Sequence, residues 1–151
     1  MELQLSVDET MLAQSHRIDN ESSMLKFGET ISEKIEPGEV VYLIGELGSG
    51  KTTLVRGILT GLGYQKNVVS PTYTLVEPYK TSKYDIYHLD LYRLNTHDEI
   101  ENLGLRDFLD GHAVCLIEWP DKFEKNLPNP SLTIRIRVLG QIREISLNPS
   151  P

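Results

Sequence analysis

Cysteine is almost missing from this chain of 151 residues: Cys115 stands alone, so no intramolecular disulfide can form. Its place inside the apolar run Ala113-Val-Cys-Leu-Ile117 reads as a small buried thiol. Basic charge is also scarce. Lys and Arg total 15 against 22 Asp and Glu, a net charge of −7, which disfavours a wide basic face and unaided binding to nucleic acid. No apolar run approaches the ~20 residues that cross a bilayer, and the N-terminus carries no signal-peptide pattern; the expected location is the cytoplasm, away from membranes. His16, His88, His97 and His112 show no close pairing of the zinc-site kind, which argues against a structural metal. No repeat, low-complexity tract or composition shift marks a linker. The length suits one domain, with residues 1–19 read as an N-terminal extension that could belong to it and residues 20–151 as a single unit.

Against these absences stands one dense cluster. Gly45, Glu46, Leu47, Gly48, Ser49, Gly50, Lys51, Thr52 and Thr53 fill the pattern G-x-x-x-x-G-K-[ST] directly after the apolar run Val40-Val-Tyr-Leu-Ile44. A glycine loop between a buried strand and a helix lets successive backbone N–H groups face phosphate oxygens, with the positive end of the helix dipole behind them. In such a loop Lys51 reaches the β- and γ-phosphates and Thr52 places its hydroxyl on a magnesium ion. The expected ligands are ATP or ADP with Mg²⁺, held by residues 45–53.

Around this loop the chain alternates between periods. Leu3, Leu5 and Val7 alternate briefly in the leader. Asn20 to Ser23 offer caps for a helix carrying Met24, Phe27, Ile31 and Ile35, stopped by Pro37-Gly38. Another helix follows the loop to about Leu62. Val68-Val69, Thr72–Val76 and Tyr84–Leu91 are β-rich, Thr96 or Asp98 could cap a helix closed by Gly104, and Ala113–Trp119 reads as a buried strand. Leu132–Leu139 and Gln141–Leu147 flank Gly140 as a hairpin. The fold class expected is α/β: a P-loop NTPase-type three-layer domain with a mostly parallel sheet and a C-terminal antiparallel hairpin.

A phosphate loop needs acids for its metal. Glu118 ends the apolar strand after Ala113, and Asp90 ends another β-rich stretch; strand C-termini deliver such carboxylates beside Mg²⁺. Either could hold the metal or orient the attacking water, so both are candidate metal ligands with Thr52 and candidate catalytic residues with Lys51. Ser70–Tyr79 is either a switch-like segment, with Thr72 and Thr74 hydroxyls near a γ-phosphate, or an ordinary β edge. Arg135, Arg137 and Arg143 read as a solvated strand face rather than a cluster on the hairpin for tRNA or a partner acid, and Arg56, Arg93 and Arg106 are candidates for an arginine finger.

Together, Gly45–Thr53, Ser70-Pro-Thr-Tyr-Thr-Leu-Val-Glu-Pro-Tyr79, His88-Leu-Asp-Leu-Tyr-Arg93, Leu103-Gly-Leu-Arg-Asp-Phe108 and Cys115-Leu-Ile-Glu-Trp119 resemble the ordered blocks of the TsaE (YjeE) family, from about Ser23 to Leu147. The resemblance implies an ATPase required for threonylcarbamoyladenosine formation on tRNA, next to the anticodon. It also implies docking on the TsaB–TsaD pair. The acidic balance leaves tRNA contact to that complex, the isolated chain is expected to be a monomer, and with no arginine finger assignable its hydrolysis is expected to be slow. The resemblance puts Lys51 on the phosphates, Thr52 on magnesium, Thr53 in support of the loop, Asp90 and Glu118 near the metal, Trp119 in a functional or docking role, and Asn20 and Glu21 near the adenosine. Glu46 departs from the Asp usual in the family, and the leader before Asn20 has no counterpart. A small-molecule P-loop kinase and a nucleotide-dependent scaffold without a hydrolytic role remain the alternatives.

The loop chemistry makes one measurement decisive. Lys51→Ala removes a charged hydrogen bond worth about 1.5–3 kcal/mol, so ATP affinity measured by titration calorimetry should fall roughly ten- to a hundredfold; undiminished affinity would contradict the assignment.

Overall fold

The structure of the protein, a computed structural model, describes residues 15–109 and 111–149. Among the described residues seven strands form one sheet in the order β1-β7-β6-β2-β5-β4-β3: β1 (His16–Ile18), β2 (Val40–Ile44), β3 (Val76–Lys80), β4 (Asp85–Asp90), β5 (Val114–Glu118), β6 (Leu132–Leu139) and β7 (Ile142–Pro149). The central pairs β6–β2, β2–β5 and β5–β4 are parallel, while β3, β7 and β1 join antiparallel at the two edges. The expected α/β domain with a parallel core and a C-terminal hairpin is therefore present, as a mixed sheet.

Period-two alternation sorts the strand residues into two apolar layers. Val41 and Leu43 of β2 and Val114 and Leu116 of β5 pack under α1 (Glu21–Ser32) and α2 (Lys51–Gly61), against Met24, Ile31, Leu54 and Ile58. Val40, Tyr42, Cys115 and Ile117 face the other way, under α3 (His97–Asn102), α4 (Leu105–Phe108) and a short 3-10 turn at Asp121–Phe123. Three layers result, and Cys115 is buried as its apolar run implied.

Local chemistry sets the helix ends. The Asn20 side chain accepts from the Ser23 amide at 2.8 Å and starts α1. Thr96 and Glu99 form a reciprocal capping box at α3. Where α1 crosses α2, Gly28 and Gly57 let the backbones touch: a Cβ at Gly28 would lie 2.5 Å from the Leu54 carbonyl oxygen and 2.8 Å from Gly57 Cα.

Two sequence expectations shift. Val68-Val69 and Thr72–Leu75 lie outside strands, and the strand begins only at Val76. Leu75 takes a left-handed φ of 71° that breaks extension, and the Tyr79 hydroxyl occupies both the amide and the carbonyl of Val69 at 3.1 Å, leaving no ladder for a partner strand. Pro78 is tolerated in β3 because that strand is an edge. The leader also contributes: His16–Ile18 pairs with β7 and buries Ile18. The alternation at Leu3, Leu5 and Val7 lies outside the described residues.

Glycine to alanine in an exposed helix stabilises by up to ~1 kcal/mol. At Gly28 the sign should reverse: Gly28→Ala is expected to lower the urea-unfolding free energy by about 1–3 kcal/mol through overpacking, and a stabilised variant would contradict the close crossing.

Candidate functional site

The loop between β2 and α2 runs along the C-terminal edge of the parallel strands, the place where open α/β sheets bind ligands. Gly48 and Gly50 take φ of 78° and 112°, which a side chain would oppose; Gly45 instead has Ser49 Oγ where its Cβ would be. Ser49 N–H donates to the Glu46 carbonyl at 3.1 Å, closing a turn. Gly50 caps α2 without a side chain, so no side-chain oxygen claims the amides of the first turn and they remain for an anion.

Three buried charges converge below that turn. Lys51, Asp90 and Glu118 are each 4–6% exposed. Alternation places Asp90 on the sheet face of Ile86, and Glu118 on that of Val114 and Leu116, both toward α1 and α2. The β4–β5 register sets Asp90 directly opposite Glu118, while β2–β5 sets Leu43, just before the loop, opposite Glu118 as well. Lys51 Nζ donates to the Gly45 carbonyl, lies 3.8 Å from Glu118 Oε1, and sits 4.3 Å over the Trp119 ring. Burial lowers the Lys51 ammonium below its ordinary value, with Glu118 and Asp90 opposing that shift. Asp90 accepts from the Tyr92 amide at 3.0 Å and from Thr72 Oγ1 at 3.4 Å; burial pushes its carboxyl up all the same.

One cavity of about 390 Å³ is bounded by residues 47–53 together with Ser70, Thr72, Asp90 and Glu118. It unites every expected catalytic and metal-binding residue: Lys51, Thr52, Asp90 and Glu118. On the other side of the loop, a second cavity of about 250 Å³ is lined by Asn20, Glu21, Met24, Thr53 and Arg143 among others. The Ser70–Tyr79 segment splits between the two readings offered for it. Ser70 and Thr72, hydrogen-bonded to each other at 2.7 Å, reach the first cavity, whereas residues from Val76 form an edge strand. Thr74 turns to Glu77 at 2.7 Å instead.

Arg143 departs from the solvated face expected for it. Its Nε donates to the Ser49 carbonyl at 3.0 Å and Nη2 to the Gly48 carbonyl at 3.3 Å, tying the C-terminal hairpin to the loop. Because a trans peptide holds C=O and N–H on opposite sides, drawing the Ser49 carbonyl toward Arg143 turns the Gly50 N–H the other way. Arg135 is exposed, and Arg137 does stay on the surface, paired with Glu144 at 2.9 Å. Arg56 pairs with Glu21 at 3.6 Å, Arg93 lies 5.1 Å over the Tyr73 ring, and Arg106 is exposed on α4. None of these three lines the cavity holding the carboxylates. Sequence reasoning weighed His88 only as a zinc ligand, yet its Nε2 lies 2.6 Å from Glu118 Oε2. Its position two residues before Asp90 on a strand, hence on the same face, was the available signal.

Comparison with known proteins identifies the family. A family model described as Threonylcarbamoyl adenosine biosynthesis protein TsaE matches residues 18–145. The chain is 46% identical over 135 residues to the tRNA threonylcarbamoyladenosine biosynthesis protein TsaE of Haemophilus influenzae, covering 86% of this chain and 85% of that one. To the protein of the same name from Treponema pallidum it is 37% identical over 123 residues, with 81% and 90% covered. It is also similar to the crystal structure of Bacillus subtilis YdiB, with a TM-score of 0.77 and 30% identity, covering 91% of this chain and 86% of that chain.

Two outcomes follow from the geometry. Arg143→Ala should weaken nucleotide binding in calorimetry by roughly tenfold, the scale of one lost charge-assisted hydrogen bond of about 1.5 kcal/mol, with Arg143→Lys intermediate; unchanged binding would remove the loop-holding role. The raised Asp90 carboxyl gives a pH signature in the metal-free chain. A folded state that holds this proton more tightly than the unfolded state has its full stability below the unfolded value of about 3.9. That stability is lost as pH rises through the folded value. Asp90→Asn should therefore raise Tm at neutral pH, and the gain should vanish below about pH 4; a gain that persists there, or none at neutral pH, would contradict burial as the cause.

Proposed function

The chain belongs to the TsaE family of threonylcarbamoyl adenosine biosynthesis proteins, and on that premise we propose that it is a Mg²⁺-dependent ATPase serving the threonylcarbamoylation of tRNA adenosine. Hydrolysis by this chain permits repeated cycles of the TsaB–TsaD pair, which carries out the transfer. The observation that carries the reading is the single cavity in which an uncapped helix N-terminus, Lys51 and two buried carboxylates meet.

The donor set fits magnesium. Among the described residues no three His, Cys, Asp or Glu side chains form a metal cage, and Mg²⁺ is commonly held by one or two carboxylates together with substrate phosphates. Thr52, Asp90 and Glu118 would supply the protein's share. A bound ion would supply positive charge against the charge that develops on the phosphates. The loop amides and Lys51 bind and orient the triphosphate, the ammonium leaving the Gly45 carbonyl for phosphate oxygens. One of Asp90 and Glu118 positions the water for in-line attack, and partial burial keeps bulk water from the charges. The second cavity, beside Asn20 and Glu21, provides room for the nucleoside on the far side of the loop. No arginine lines the cavity that holds Lys51, Asp90 and Glu118, which suits slow turnover by the isolated chain.

The setting favours a partner over the mouth of the site. Leu47, which lines the cavity, is 67% exposed, and Tyr73, next to the cavity-lining Thr72, is 81% exposed, with Val69 and Tyr92 also exposed; exposed apolar groups of this kind mark docking surfaces. The net charge of −7 supports leaving tRNA contact to the partners. No helix among the described residues is long and apolar enough to cross a membrane, which accords with work in the cytoplasm.

Reconstitution with TsaB, TsaD, tRNA, ATP and the threonylcarbamoyl donor tests the reading. The intact chain should sustain several rounds of modification per complex and Lys51→Ala should not; equal multi-turnover modification by both would overturn it, and brisk phosphorylation of a metabolite without partners would favour a kinase.

A further inference from the structure

His88 is the one fully buried ionisable side chain among the described residues that the mechanism leaves unused. It stands on β4 two residues before Asp90, so strand alternation turns both side chains to the face covered by α1 and α2. Its Nε2 lies 2.6 Å from Glu118 Oε2 across the β4–β5 pair. A carboxylate only accepts hydrogen bonds, so Nε2–H is the donor. The other ring nitrogen, Nδ1, is buried with no hydrogen-bond partner. Burying an imidazole in this way costs stability that an apolar side chain of the same volume would not, and its one hydrogen bond goes to the site.

The two oxygens of Glu118 are thereby divided. Oε2 is held by His88, and Oε1 lies 3.8 Å from Lys51 Nζ. The terminal torsion of a glutamate is soft and broad, so without a second tether the plane of the carboxylate would swivel and neither oxygen would keep a fixed direction. We propose that His88 is a positioning residue for ATP hydrolysis: by donating Nε2–H to Oε2 it fixes the Glu118 carboxylate so that Oε1 alone faces the phosphates and the water. The kinetic consequence rests on the hydrolytic reading above; the hydrogen bond itself does not.

Three substitutions separate positioning from packing. In His88→Gln the amide nitrogen can occupy the place of Nε2, in His88→Asn it falls short, and in His88→Leu the volume remains without a donor. With the full chain, kcat should drop about 10- to 100-fold for Asn and Leu, the usual effect of losing a partner that orients a metal-site ligand. KM and ADP affinity should hold, and Gln should restore most of the rate. Long-range ¹H–¹⁵N NMR of the nucleotide-free chain should show the proton on His88 Nε2, with that signal changed in Glu118→Ala. Parental kcat in His88→Leu, an equal loss in all three variants, or a bare Nε2 in the NMR spectrum would overturn the proposal. A parent no faster than Lys51→Ala would sink the hydrolytic reading and the kinetic role with it, whereas a parent well above Lys51→Ala with unaffected His88 variants would sink the role of His88 alone.

Discussion

Two carboxylates and one ammonium buried together at the ends of the central strands form the constraint on which the rest of this structure depends. Lys51, Asp90 and Glu118 leave the site with one more negative charge than positive, and burial opposes the charged form of both Lys51 and Asp90. Above them, the uncapped first turn of α2 presents amides and the positive end of a dipole. One end of the cavity therefore calls for a cation and the other for an anion. The ligand we propose, a divalent cation joined to a polyphosphate, would satisfy both at once, which neither half would do alone.

Other features of the fold keep these groups in place. The parallel register of β2, β5 and β4 puts the loop, Glu118 and Asp90 at one edge without long side chains having to reach. The close crossing of α1 and α2 at Gly28 and Gly57 seats α2 against the sheet, so that Lys51 enters the site from a fixed helix start. Arg143 holds the loop carbonyls from the hairpin, and His88 holds Glu118 from beneath. Left-handed φ values outside glycine occur, among the described residues, only at Leu75 and Trp119, which flank Asp90 and Glu118. The Leu75 carbonyl accepts the Asp90 amide at 2.9 Å, and the Glu118 carbonyl accepts the Leu91 amide at 3.1 Å. Backbone in such conformations persists where surrounding contacts over-determine it, and here those contacts include the carboxylates' own peptides.

Legibility in the sequence followed the range of the interactions. The glycine loop, a cap within Asn20–Ser23, a cap at Thr96 or Asp98 and the hairpin around Gly140 are local patterns, and each was readable from a few consecutive residues. Asp90 and Glu118 could be nominated because acids at the ends of β-rich runs point to strand C-termini, but their division of labour could not, since it depends on register. Arg143 was misread because its partners lie 94 and 95 residues away, and a charged residue alternating on a strand looks solvated whatever packs beside it. The β-rich composition of Thr72–Leu75 failed for a different reason: Pro71, the left-handed Leu75 and the Tyr79 hydroxyl at Val69 override local propensity. His88 was hidden because a lone histidine in a strand carries no pattern until its neighbour across the sheet is known.

The central claim is that the buried carboxylates and the loop amides form one site for a metal-bound triphosphate. Calorimetric titration of the purified chain with a non-hydrolysable ATP analogue, with and without Mg²⁺, tests it most directly. The account predicts clear strengthening by Mg²⁺ in the parent and loss of that strengthening, with residual metal-free binding retained, in Asp90→Asn/Glu118→Gln. Binding of the analogue that is indifferent to Mg²⁺ in the parent, or a Mg²⁺ effect that survives the double substitution, would contradict it.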